Sequence, residues 1–199
     1  GTHVDITEQK QAEDALRKSE QRYRILTDLG SDYAAGFVIE ADGIPYMEWV
    51  SEAVERITGY AAEEYCQLPV QTPIHPDDRV PVRANTKHML ASGKPSDSMY
   101  RIIRKDGAER HIHSRHHLVK DPQTGRVTYV YMVAQDITER ILAEDERKAS
   151  EYRYRSLFEQ AQDAIFIIDV DGKRMETNSY AALMLGYTLE ELNTMNAMQ

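Results

Sequence analysis

The chain has one cysteine, one tryptophan and three phenylalanines among its 199 residues. Cys66 alone cannot form an internal disulfide, which fits a reducing compartment. No apolar run approaches the roughly 18 residues that read as a membrane span, and no signal-peptide pattern opens the chain. A cytoplasmic location is therefore expected, although a parent protein could carry an anchor elsewhere. The first residue is Gly and the last segment stops in mid-pattern, so the sequence reads as a fragment. An excess of positive charge is missing too: 24 Lys and Arg stand against 33 Asp and Glu, a net charge of −9. Affinity for nucleic-acid phosphates rests on clustered Lys and Arg, and here the signs are interspersed, so no nucleic-acid partner is expected. Nor is there a Gly-rich phosphate loop, a nucleophile elbow or a paired acid/base constellation. These residues are not expected to form an enzyme.

What the chain does contain is a repeat. Asp5-Ile6-Thr7-Glu8 returns as Asp136-Ile137-Thr138-Glu139, and residues 5–26 laid over 136–157 give 13 identities in 22 positions. Further on, Asp42-Gly43 answers Asp171-Gly172, and Gly59-Tyr60 answers Gly186-Tyr187. Each copy opens on a helix signal, an Asp with a Glu three residues later. After the first, Ala12, Leu16, Ser19, Tyr23 and Leu26 recur at the spacing of a coiled-coil seam. In the second copy Arg147 takes the place of Leu16, which weakens the seam, while Ile141 and Leu142 add apolar surface.

Between these helices the pattern changes. Residues 33–51 read as two strands joined at Ala41-Asp42-Gly43. Short helices follow over 53–57 and 61–68, and Pro69 and Pro73 break the chain. A longer helix is expected to start at the acidic pair Asp77-Asp78 and to end near Gly93. Three more strands fall at about 96–104, 109–119 and 126–135. The order of elements predicts an α+β domain with a five-stranded antiparallel sheet and helices on one face, leaving a pocket or small core between them.

Several motifs then stand in order: SEQRYRIL at 19–26, YMEWVSEAVERITGY at 46–60, IHPDDR at 74–79, YRIIRKDG at 100–107 and DITER at 136–140. Together they resemble a PAS domain with its C-terminal PAC segment. The resemblance implies this organisation: residues 1–18 end a preceding module and linker helix; 19–140 form a complete PAS/PAC domain; 141–155 are a linker helix; 156–199 begin a second, truncated PAS domain. It also implies a sensory and dimerisation module, homodimeric through coiled-coil linker helices. The stimulus would pass to an output domain of the same chain, a histidine kinase or a diguanylate cyclase.

Specific chemistry is harder to place. In the flavin-binding light-oxygen-voltage members the adduct-forming Cys would fall at Val70, and Cys66 comes four residues too early, so flavin photochemistry is not expected. His88, on the long helix, is the candidate for an axial haem ligand, but the helix does not resemble that of haem-binding members. His111, His113 and His117 share one strand face and could approach a metal ion; plain sheet-surface histidines are the reading adopted, with no metal expected. His75, beside the acidic pair, reads as structural. The alternative to a pure relay is a receptor whose cofactor or small-molecule ligand, of unknown identity, sits among Phe37, Ile57, Tyr60, Met89, Tyr100, Ile102 and Val133. Signal transfer is assigned to the junction Asp136, Ile137, Thr138 and Glu139, where the last strand becomes the outgoing helix.

Overall fold

A computed structural model describes residues 32–170 and 174–194. The chain divides into two compact units, residues 1–139 and 140–199. The expected seam Ala12, Leu16, Ser19, Tyr23 and Leu26 lies outside the described residues. Among the described residues no helix is long and apolar enough to cross a membrane.

In the first unit a hairpin, β1 (Tyr33–Ile39) and β2 (Pro45–Val50), is followed by two short helices, α1 (Val54–Thr58) and α2 (Ala62–Gln67). A 3-10 turn at Pro76–Asp78 leads into α3 (Arg79–Ser92), and β3 (Asp97–Ile103), β4 (Glu109–Lys120) and β5 (Val127–Asp136) complete it. The sheet runs β2-β1-β5-β4-β3 with every neighbouring pair antiparallel. The expected α+β architecture is therefore the observed one.

Alternation along the strands puts the core on one face. Tyr33, Ala35 and Phe37 of β1 join Val130, Met132 and Ala134 of β5, Ile112 of β4 and Ile102 of β3. Val54, Ile57, Tyr65 and Met89 close over them from the helices. Each large side chain buried this way contributes about 1.5–3 kcal/mol. On the opposite face Gly36 leaves room for an aromatic pair. The Trp49 indole N–H donates to the Tyr129 hydroxyl at 2.8 Å, and a Cβ on residue 36 would overlap both groups.

The acidic pair stands at the start of the long helix, as its position in the sequence suggests. Asp78 makes no side-chain cap to α3. Its carboxylate instead accepts from Arg101 of β3, from Nη2 at 2.7 Å, Nε at 3.1 Å and the backbone N–H at 2.8 Å. That guanidinium holds the Asp78 carboxyl below the usual range. A forked ion pair to a neighbouring strand outcompetes a single amide because both partners are charged and aligned. The turn is capped by His75, whose Nδ1 accepts from the Asp77 N–H at 3.3 Å.

The second unit holds most of α4 (Thr138–Gln160), then the hairpin β6 (Phe166–Ile168) and β7 (Arg174–Thr177), α5 (Ser179–Leu185) and α6 (Leu189–Thr194). The α4 surface is polar nearly all round and is laced by ion pairs four residues apart, Glu144–Lys148 at 2.8 Å and Arg147–Glu151 at 3.1 Å, the usual support for such a helix. Its buried anchor is Phe158, stacked on Tyr154 with centroids 5.7 Å apart.

Candidate functional site

Two features of the first unit can carry function: a cavity beneath the helices and the junction where β5 becomes α4. The cavity has a volume of about 1370 Å³. Its floor is the inner sheet face and its wall is α3, where Val82, Thr86, Met89 and Leu90 recur at helical spacing. Of the residues singled out in the sequence, Phe37, Met89, Tyr100 and Ile102 line it.

Three expected lining residues do not. Val133 is buried, but β5 presents Val130 and Met132 to the cavity. A shift of one residue moves a side chain to the other sheet face, so Val133 points away. Ile57 packs into the core instead of the cavity wall. Tyr60 lies against Tyr65, with centroids 6.3 Å apart, and under Lys105, whose Nζ is 5.4 Å from its ring. Sequence reasoning missed His116 and the pair Val130 and Met132. Counting by twos from Ile112, the most apolar position in its strand, reaches Ser114, His116, Leu118 and Lys120, so the signal was present.

Inside, the polar groups are sparse and mostly satisfied. The His116 Nδ1 lies 2.9 Å from the Ser96 carbonyl; a carbonyl only accepts, so this nitrogen carries the proton. Burial pushes the imidazole down from its ordinary value, which keeps it neutral near neutral pH. Burial likewise raises the phenols of Tyr65 and Tyr100. Cys66 lines the cavity and is half-buried, and burial raises its thiol, which favours the protonated form. His88 is exposed on α3 and does not line the cavity, so it is not placed as an axial ligand.

Of the other histidines, His75, His111 and His113 each face a carboxylate. His111 lies 3.8 Å from Glu109 and His113 lies 3.5 Å from Asp97. Among the described residues no three His, Cys, Asp or Glu side chains are grouped to hold a metal ion. His75 sits 3.8 Å from Glu109 as well, within a surface network that includes Arg101 and Asp77.

At the junction, Asp136 is the last residue of β5. Its Oδ1 accepts from the Thr138 N–H at 2.9 Å and from the Thr138 hydroxyl, and its Oδ2 faces Arg110 Nε at 3.8 Å. The Thr138 hydroxyl accepts from the His111 N–H at 2.8 Å, and the Ile137 N–H donates to the His111 carbonyl at 2.9 Å. Ile137 is buried and Glu139 exposed. The first turn of α4 is thus tied to β4 through both backbone groups of one residue, His111.

Residues 47–134 match a family model described as PAS fold, and residues 152–198 match a second model with the same description. The chain belongs to the PAS family, and its five-stranded unit is a sensor domain of that family. It is 28% identical to the methyl sulfide methyltransferase-associated sensor of Methanosarcina acetivorans, over 90% of this chain and 18% of that protein. The chain thus spans under a fifth of the length of that relative. A sensory box histidine kinase/response regulator from Burkholderia thailandensis is 28% identical over 68% of this chain and 99% of that one, with a TM-score of 0.51. An RNA-binding light-oxygen-voltage receptor, 23% identical over 69% of this chain and 39% of that one with a TM-score of 0.51, shares the fold.

Proposed function

We propose that this chain is the sensory and dimerisation segment of a signal-transduction protein, non-catalytic in itself, which relays a stimulus through its linker helices to an output domain. The observation that carries the reading is the junction. Any movement of β4 or β5 reaches α4 through the Asp136–Thr138–His111 contacts. The likeness to a curated sensor supports the sensory role, and the likeness to a sensory box histidine kinase/response regulator supports a kinase as one output, with a diguanylate cyclase as the alternative. Pairing through the linkers is supported by α4, whose Leu142 and Leu157 are 60% and 75% exposed.

The test is Asp136→Ala in a protein that carries this chain ahead of an output domain. Loss of a helix cap costs about 1 kcal/mol, small beside a global stability of about 5–15 kcal/mol but worth about fivefold in a two-state equilibrium. The variant should fold, and output activity should shift by about that factor; unchanged output would make the junction merely structural. Leu16→Glu or Leu26→Glu should weaken dimerisation in sedimentation experiments.

A second reading, a receptor with a bound small molecule, rests on the cavity. Its volume exceeds the roughly 300–1,000 Å³ of ordinary ligand sites, and its lining combines apolar side chains from the sheet and α3 with polar and charged ones. Mass spectrometry of the natively purified protein, in which a bound molecule adds mass, tests it.

A further inference from the structure

The cavity is uneven in charge. Arg83 and Lys87 come from α3, Lys120 from the end of β4, and Arg126 from the turn before β5; Asp42 is the one acidic lining residue. Its carboxylate is already engaged, accepting from the Ile44 N–H at 2.8 Å and the Tyr46 hydroxyl at 3.0 Å. This basic rim belongs to a chain whose net charge is −9, so it is not a sample of the average surface. Arg83 donates to the Gln71 side-chain oxygen at 2.7 Å and Arg126 to the Ala41 carbonyl at 3.5 Å, both neutral groups. Among the described residues, neither the Lys87 nor the Lys120 side chain has a hydrogen bond or an ion pair. Below the rim the lining turns apolar, with Phe37, Met47, Leu90, Val130 and Met132. Methionine side chains adapt to flexible apolar ligands.

We propose that the cavity binds an anionic amphiphile, a carboxylate on a long apolar chain, with its head between Lys87 and Lys120 and its tail over Met89, Val130 and Met132. The proposal rests on the receptor reading above. The rim lysines are exposed, so an anion meeting them keeps part of its hydration while the tail leaves water. A neutral or cationic head would gain nothing there.

Isothermal titration of the full 199-residue chain with octanoate, decanoate, decan-1-ol and decyltrimethylammonium, each below its micelle concentration, tests this. Decanoate should bind about tenfold more tightly than decan-1-ol, and decyltrimethylammonium least tightly. Affinity should rise about fourfold per added methylene from octanoate to decanoate. Lys87→Gln and Lys120→Gln are exposed changes that leave the core intact. Each should weaken decanoate about fivefold and leave decan-1-ol unchanged. Met132→Trp, or Leu90→Phe should the first not fold, should fill the cavity and abolish binding of both. If decan-1-ol binds as tightly as decanoate, the ligand class is wrong while the receptor reading stands. If no probe binds, both fail. Tight decanoate binding that survives both lysine changes places the head elsewhere and overturns the proposal.

Discussion

Ser51 and Asn178 hold the same position in the two related units, and they carry different loads. In the first unit the Ser51 N–H donates to the Ala34 carbonyl at 2.8 Å, and its hydroxyl accepts from the Ala34 N–H at 3.1 Å. In the second, the Asn178 N–H donates to the Ile165 carbonyl at 3.2 Å and its Oδ1 accepts from the Ile165 N–H at 3.0 Å. Asn178 then does more. Its Nδ2 donates to the Phe158 and Asp163 carbonyls, each at 3.0 Å, and its Oδ1 accepts from the Ala181 N–H at 3.1 Å. One buried amide therefore joins the end of α4, the following loop, β6 and α5.

The rest of each unit explains the difference. The first hairpin is held by β5 as well, inside a five-stranded sheet. The second hairpin is a two-stranded sheet among the described residues, with Ile168 54% exposed. Two strands alone are marginal in water, so side-chain hydrogen bonding must supply what strand pairing supplies in the first unit. Where the sheet is wide, a serine suffices.

The largest expected effect is at that amide. Asn178→Ala removes the side-chain partner of two carbonyls and of the Ile165 N–H, while the Ala181 N–H keeps the residue-178 carbonyl at 3.1 Å, and should cost about 3 kcal/mol. Hydrogen exchange of Ile165–Ile168 should approach the unfolded rate, while Trp49 fluorescence, which reports the first unit alone, melts as in wild type. Persisting protection would break the comparison, because something other than Asn178 would then hold the unit.

Gly36→Ala should act on the first unit only. The added methyl displaces the Trp49–Tyr129 pair, an overpacking expected to cost about 2 kcal/mol. Urea denaturation followed by Trp49 emission measures it; an unchanged midpoint would show that the outer face relaxes freely. Ser51→Ala, the counterpart of the asparagine change, removes one hydrogen bond and should cost about 1 kcal/mol in the same assay. A loss as large as that of Asn178→Ala would mean the two nodes carry equal loads.

The smallest effect sharpens the comparison through pH. Arg101 depresses the folded carboxyl of Asp78, so the stability it contributes is present above the unfolded value of about 3.9 and is lost as pH falls through the depressed folded value. Wild type should melt about two degrees above Asp78→Asn at pH 6, and the two should converge toward pH 3. A constant gap across that range would remove the ion pair from the account.

Much of the first unit was legible because its punctuation is local. Asp42-Gly43, Pro73 and Gly93 mark turns and ends through backbone preferences that act within a few residues. Gly59 and Gly186 both end a short helix in the left-handed conformation, φ 78° and 76°, so the matched pair in the sequence became a matched pair in space. The cavity was legible only in part. Phe37, Met89, Tyr100 and Ile102 line it, whereas Val133 lies on the sheet face opposite Val130 and Met132. Strand β5 is buried on both faces, and a run such as Val130-Tyr131-Met132-Val133 has no alternation to fix its phase.

The sequence by itself determined the repeat, the order and approximate bounds of the strands and helices in the first unit, and the position of the strand-to-helix junction. Each of these is set by periodicity and by capping or turn residues acting over short distances. Only the tertiary structure decided which carboxylate serves which partner: Asp78 abandons its helix for Arg101, 23 positions away, because the sheet brings a guanidinium within bidentate reach. It also assembled the basic rim. Arg83, Lys87, Lys120 and Arg126 lie on a helix, a strand end and a turn, and all four line the one cavity because the fold brings these elements around it.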